Sequence, residues 1–232
     1  LVAIEDTPGP AAIRDCNGPA ILAMASAHPW IHALGSYRAP DDKDELRERI
    51  AHALEDADVL VLSGGVSMGT KDFVPGVLAD LGVEQIFHKT AIRPGKPLWL
   101  GAAPNGAHVF GLPGNPVAVQ VTFREIVMPA LRKLAGFART SGLEYVLPLA
   151  VPVSKSIPFR QFVPARIVPG NPSGEPHQSP LCSTSHALPL DHRGSGDFVS
   201  AARAEGVIVL PEGPQELAAG DAVAFHPWGA SC

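Results

Sequence analysis

Ala57-Asp58-Val59-Leu60-Val61-Leu62-Ser63-Gly64-Gly65-Val66-Ser67-Met68-Gly69-Thr70-Lys71-Asp72 is the stretch on which the reading of the fold turns. Val59 to Leu62 is a short apolar run that ends in glycines, the pattern of a buried strand. Paired glycines at its end let the backbone turn with positive φ and present N–H groups outward. Asp72 then stands where a helix N-cap is expected. A strand, a glycine loop and a helix start make an anion-binding corner in an open α/β sheet. A plain tight turn is the alternative reading of the same residues.

The totals fit this picture. The chain has 232 residues, a net charge of −5 and 46% hydrophobic residues, enough for one large domain or two small ones. The mild acidity gives no global case for nucleic-acid binding, so any anion site must be local. Cys16, Cys182 and Cys232 lie far apart and match no metal or disulfide spacing; they read as reduced thiols of a cytoplasmic protein. No apolar run has the length of a membrane span, and no signal peptide is evident. The chain starts at Leu1 rather than Met, which points to upstream sequence.

Upstream of the central stretch, Leu1 to Pro10 reads as loop. A helix is expected to start at Pro19, capped by Asn17 or Gly18, and to end at His28-Pro29. Trp30 to Leu34 reads as a strand, with Trp30 and Trp99 as core residues. Asp42 and Glu45 resemble a capping box, and Leu46, Ile50, Ala53, Leu54 and Ala57 fall on one helical face.

Downstream, a helix runs from Asp72 to about Leu81, and Val83 to Lys89 reads as a strand. Lys89, Arg93 and Lys96 surround the Pro94-Gly95 turn; they are either a basic cluster for an anion or three solvated cations. Leu98–Ala103 and Ala107–Leu112 make a hairpin around Asn105-Gly106. A second corner follows at Gly111-Leu112-Pro113-Gly114-Asn115-Pro116, with Asn115 as N-cap and Pro116 as the first helical residue of a buried helix ending at Gly136. Alternating strands and helices imply an α/β sheet covered on both faces.

The pattern changes near residues 137–143. Short, proline-interrupted strands from Val146 to Val153 and Phe159 to Val168 follow, then a loop over Pro169–Pro180. A short helix at Phe198–Ala204, capped by Gly194 to Asp197, precedes strands at Val207–Leu210 and Ala222–Phe225. These describe a small β-rich barrel or sandwich. The expected organisation is an α/β domain over 1–140 and a β-barrel domain over 144–232.

Four motifs occur in order: Ile13-Arg14-Asp15-Cys16-Asn17, Leu62 to Gly69, Ile92-Arg93-Pro94-Gly95-Lys96-Pro97, and Gly111 to Pro116. Together with the tail, Gly194-Ser195-Gly196-Asp197-Phe198 through Gly206 to Pro211, they resemble the molybdopterin molybdenumtransferases, the MoeA and gephyrin E-domain family. The resemblance implies a three-layer molybdopterin-binding (MogA-like) α/β domain followed by a small β-barrel. It implies molybdenum cofactor biosynthesis: adenylated molybdopterin and molybdate are taken, molybdenum is placed on the dithiolene, and AMP is released. A divalent cation, Mg²⁺, and a homodimer are expected.

By the same resemblance, Ser63, Gly64, Gly65 and Ser67 would bind the ligand's phosphate or pterin end. Asp72 and Asp41 match family carboxylates for catalysis or for the cation; each is equally a helix-start residue. Asp15 and Asn17 would touch the pterin, although capping explains Asn17 as well. Lys89, Arg93 and Lys96 match the basic cluster that meets molybdate and the pyrophosphate. Pro113, Gly114, Asn115 and Pro116 would shape the second corner, and Ser195 would help hold the oxoanion.

The chain also departs from the family. The strand that opens the family's α/β domain, and the domains before it, have no counterpart ahead of Leu1. The expectation is therefore a C-terminal portion of a longer protein, or another segment in that strand's place. Ala118 stands for a frequent Ser, Thr70 for a common Glu, and Pro164 for an Arg whose bidentate clamp Lys could not copy; Arg166 lies two residues on. Three readings follow: an inserting transferase, a molybdopterin-binding module without turnover, and a gephyrin-like scaffold.

Overall fold

The computed structural model describes residues 1–33, 35–40, 42–66, 72–170, 185–191 and 197–229. It divides into two compact units: Leu1–Thr90 with Gly95–Gly136, and Ala91–Pro94 with Phe137–Cys232.

The first unit begins with a parallel bridge between Val2 and Arg14, followed by α1 (Asn17–Ser26). The expected strand after it is absent: residues 30–33 form a turn and extended chain, with Ile31 N–H bonded to His28 O. Trp30 and Ile31 instead pack as partly buried side chains on the core, which satisfies their apolar character without a ladder.

α2 (Lys43–Asp56) starts as its sequence dictates. The Asp42 carboxylate accepts from the N–H groups of Asp44 and Glu45 at 3.1 and 2.9 Å, and Ile50 and Leu54 are buried. β1 (Val59–Ser63) follows, then α3 (Val74–Asp80) and β2 (Glu84–His88). Asp72 is not the N-cap of α3. Phe73 occupies that position without a side-chain cap bond, and Pro75 fills the first turn, where its missing N–H costs nothing.

The chain then leaves for β3 (Ile92–Arg93), which belongs to the second unit, and returns for the hairpin of β4 (Trp99–Ala102) and β5 (His108–Leu112). The sheet order is β1-β5-β4-β2, with β1 parallel to β5 and the other pairs antiparallel. Among the described residues, β1 pairs only with β5.

The last helix is interrupted. α4 (Pro116–Thr122) passes through a π-helical turn (Phe123–Val127) into α5 (Met128–Leu134). Pro129 has no N–H for the carbonyl four residues back, and Met128 N–H reaches back five residues to Phe123 O.

Strand alternation sends side chains to two cores. On one face Trp99 and Val109 meet Ile50 and Leu54 of α2 and Val74, Val77 and Leu78 of α3. On the other, Phe110 and Leu112 meet Ala25 of α1 and Val119, Phe123, Val127 and Met128. Helices thus cover both faces, in three layers.

The second unit carries β6 (Tyr145–Pro148), β7 (Val153–Lys155), β8 (Arg160–Pro169), β9 (Ser185–Pro189), α6 (Phe198–Arg203), β10 (Gly206–Leu210), β11 (Gln215–Leu217) and β12 (Ala222–Pro227). Its main sheet runs β3-β8-β10-β12-β6, with β9 on β8; β11 and β7 pair separately. The β-rich character is as expected, but no closed barrel forms among the described residues. Just after β6, Leu149 forms an isolated parallel bridge with Ala187 of β9, without a continuous ladder between the two strands. β9 and β11 were not anticipated from the sequence, and most of the expected Pro169–Pro180 loop lies outside the described residues.

Lys155 is a buried cation here, 4% exposed. Its Nζ donates to the carbonyls of Phe159, at 2.8 Å, and Pro211, tying β7 to two loops. Burial lowers its pKa.

Candidate functional site

The two glycine corners meet. β1 and β5 are parallel neighbours in register, Ser63 beside Leu112, so the loops leaving their C-terminal ends lie side by side. Gly64 (φ +84°) and Gly65 (φ +69°) adopt the left-handed turn that glycine permits. A Cβ on Gly114 would lie 3.6 Å from the Gly64 Cα, so the two backbones are in van der Waals contact. Gly64 N–H donates to Leu112 O at 3.1 Å.

Asn17 clasps this junction from a distant part of the chain. Its Nδ2 donates to Ser63 Oγ at 2.8 Å and to Gly114 O at 2.9 Å. Ser63 Oγ also lies 3.5 Å from Pro113 O. The expected cap of α1 is thereby reassigned. α1 begins at Asn17, two residues before Pro19, and Asp15 Oδ1 accepts from the N–H groups of Asn17 and Gly18 at 3.0 and 3.3 Å. The Cys16 thiol beside them is pushed up in pKa by burial and by the Asp15 charge.

The second corner is less open to an anion than the sequence implied. Asn115 Oδ1 accepts from Val117 and Ala118 N–H at 2.9 and 3.3 Å, and so occupies the first N–H groups of α4. Asn115 as N-cap and Pro116 as first helical residue are both as expected. Among the described residues, the N–H groups of Gly65 and Gly114 have no internal acceptor. These are the donors the junction presents.

The basic segment is divided between the units. Lys89 and Lys96 are exposed in the first unit, where Thr90 N–H donates to Lys96 O at 2.9 Å. Arg93 sits in β3 of the second unit, opposite Gln161 of β8. The two lysines thus belong to the first unit and Arg93 to the second. Lys89 is the only described non-glycine residue with positive φ, +76°. Side chains other than Gly and Asn seldom adopt that conformation, which costs about 1–2 kcal/mol.

Asp72 is half-buried, two residues before α3 begins. Asp41, Ser67 and Ser195 lie outside the described residues. Among the described residues no group of three or more His, Cys, Asp or Glu gathers to hold a metal ion. No helix is long and apolar enough to cross a membrane among the described residues.

Two departures from the expected oxoanion site have a structural position. Ala118 is buried at 2% exposure in α4. Pro164 is buried in β8, and Arg166 is exposed on the same face of the strand, roughly 7 Å further along.

One residue was missed by the sequence reading. His88, at the end of β2, places Nε2 2.9 Å from Val66 O, directly after the first corner. A polar side chain closing an otherwise apolar Ile86-Phe87 step was the available signal.

Comparison with known proteins places these features in a family. Residues 1–133 match the model described as "Probable molybdopterin binding domain", and residues 146–228 match "MoeA C-terminal region (domain IV)". A molybdopterin molybdenumtransferase of Staphylococcus epidermidis is 30% identical over 224 residues, 96% of this chain and 50% of that protein. One from Nostoc sp. is 38% identical over 144 residues, covering 60% of this chain and 32% of that protein. The chain thus spans about half the length, or less, of these curated relatives. The crystal structure of a molybdopterin biosynthesis moeA protein from Pyrococcus horikosii superposes with a TM-score of 0.75 at 29% identity, covering 99% of this chain and 52% of that one. With a molybdopterin-binding model over more than half its length and the MoeA C-terminal model over most of the remainder, the chain belongs to the MoeA-like family of molybdopterin-binding proteins.

Proposed function

We propose that this chain acts in molybdenum cofactor biosynthesis as the ligand-holding part of a molybdopterin molybdenumtransferase. It would bind adenylated molybdopterin and accept molybdate, and molybdenum would be left on the dithiolene as AMP departs. The observation that carries this reading is the junction of the two corners, where Gly64 and Gly114 touch and the Gly65 and Gly114 N–H groups lack internal acceptors among the described residues. Such backbone donors suit a phosphate or another oxoanion. The names of the relatives, molybdopterin molybdenumtransferases, support molybdopterin as that ligand.

In this reading Lys89 and Lys96 meet the negative charge of molybdate and of the phosphoanhydride, and Arg93 adds a bidentate donor. Asp72 and Asp41 are the carboxylates that would hold Mg²⁺, which when bound would neutralise phosphate charge. Asn17 and Asp15 keep the junction in shape. The assembly would be a cytoplasmic homodimer.

A second reading has its own support. Pro164 where the family carries Arg, with Arg166 displaced along β8 and Ala118 buried, favours a module that binds molybdopterin without inserting metal. Incubation with adenylated molybdopterin, molybdate and Mg²⁺ separates the two. AMP release with cofactor formation supports the transferase; tight binding without turnover supports the module; neither result removes both. In a full-length version Lys96→Ala or Asp72→Ala should reduce turnover, and unchanged turnover in both would withdraw the site assignment.

A further inference from the structure

His88 ends β2 opposite Trp99 of β4 and is partly buried. A carbonyl can only accept, so the 2.9 Å contact with Val66 O fixes the tautomer: Nε2 carries the proton and donates. Val66 is 1% exposed, and its side chain is wedged against β5, where a Cβ on Gly111 would come within 2.6 Å of Val66 Cγ1. Gly65, just before it, lies against Val74 of α3 in the same way, at 2.9 Å from the position of an added Cβ.

The corner is thus gripped at both ends. Asn17 holds Ser63 before the two glycines, and His88 holds the Val66 carbonyl after them. Between these anchors Gly64 and Gly65 have only backbone, and glycine has more accessible conformations than any other residue. The His88 bond fixes the Val66 carbonyl, and so limits the torsions of the residue that follows the two glycines. His88 also directly precedes Lys89, whose φ of +76° sets the direction of the chain leaving β2.

We propose that His88 is a positioning residue: its Nε2–H bond to Val66 O holds the Gly64-Gly65 corner in the conformation that receives the ligand. This rests on the reading of that corner as a molybdopterin site. Preorganised donors bind because their ordering cost is met during folding rather than at binding.

The test compares wild type, His88→Phe and His88→Gln in the full chain. Phe keeps the ring volume without a donor; Gln keeps a donor at similar reach. Molybdopterin affinity is read from pterin fluorescence, the Gly64 and Gly65 amides from ¹H–¹⁵N spectra, and folding from thermal denaturation. His88→Phe should bind molybdopterin about tenfold more weakly, the loss of one hydrogen bond of ordinary worth. Its Gly64 and Gly65 amide signals should shift or broaden, and His88→Gln should recover affinity to within about threefold. Wild-type affinity in His88→Phe overturns the proposal, as does His88→Gln binding no better than His88→Phe. If wild type itself does not bind molybdopterin, the ligand reading fails; the amide signals of His88→Phe then decide the positioning role, and unchanged signals overturn it.

Discussion

Replacing Lys89 by glycine should stabilise the protein while removing a cation from the site. Lys89 has φ of +76°, in the left-handed region where a Cβ crowds its own backbone. Alanine carries that same Cβ, so Lys89→Ala removes the ammonium and keeps the strain. Lys89→Gly removes both. Relief of the strain is worth about 1–2 kcal/mol, and the greater unfolded-state freedom of glycine takes back about 0.5–1 kcal/mol. The glycine variant should therefore exceed the alanine variant by roughly 0.5–1 kcal/mol, or about 1–4 °C in Tm for a protein of this size.

At an ordinary extended position the sign reverses, and glycine is the less stable by about 0.5–1 kcal/mol. Urea denaturation followed by tryptophan fluorescence suits the measurement, because Trp99 is 2% exposed and pairs with His88 next to the strained residue. Both variants should lose activity equally in a full-length protein if the ammonium is what matters there. A glycine variant less stable than the alanine variant, at equal m-values, would refute the argument from strain.

Asn17→Asp is nearly isosteric but cannot donate, so it loses the bonds to Ser63 Oγ and Gly114 O. Stability should fall by about 1–2 kcal/mol in chemical denaturation; an unchanged midpoint would mean that Asn17 does not hold the junction. Gly65→Ala combines φ of +69° with a contact of 2.9 Å to Val74 Cγ2, and should cost about 2 kcal/mol or more. Gly114→Ala meets Gly64 only at 3.6 Å and should leave stability within about 0.5 kcal/mol, so weakened molybdopterin binding at constant Tm would mark that surface as facing the ligand. Lys155→Met should destabilise the second unit by about 2 kcal/mol, because two carbonyls lose their buried donor; differential protection in hydrogen exchange would localise the effect.

The features that the sequence determined by itself are those whose partners lie within a turn of chain. Asp42 and Asn115 cap the helices that follow them because their acceptors sit two and three residues from the N–H groups they serve. The β4–β5 hairpin, the β1 strand with its glycine turn, and the two-faced core follow from periods of 2 and 3.6 and from the backbone freedom of glycine. The family was legible for a related reason, since its motifs are short strings in a fixed order.

The tertiary structure decided what those local units touch. Asn17 looked like a cap and became a clasp, because its amide reaches Ser63 and Gly114, 46 and 97 residues away. Asp15 took the capping role instead. Trp30 and Ile31 looked like strand, yet packing on the core met their need for burial without a ladder. Arg93 read as one of three cations on a loop, but a two-residue pairing with β8 carried it into the other unit. The grip of His88 on Val66 left only a polar residue after Ile86-Phe87 as its local trace, since the contact depends on β2 ending beside the corner that β1 begins. Capping and periodicity are set by bonds between near neighbours, whereas a clasp is set by which distant segments the core brings together, and only the folded chain specifies that.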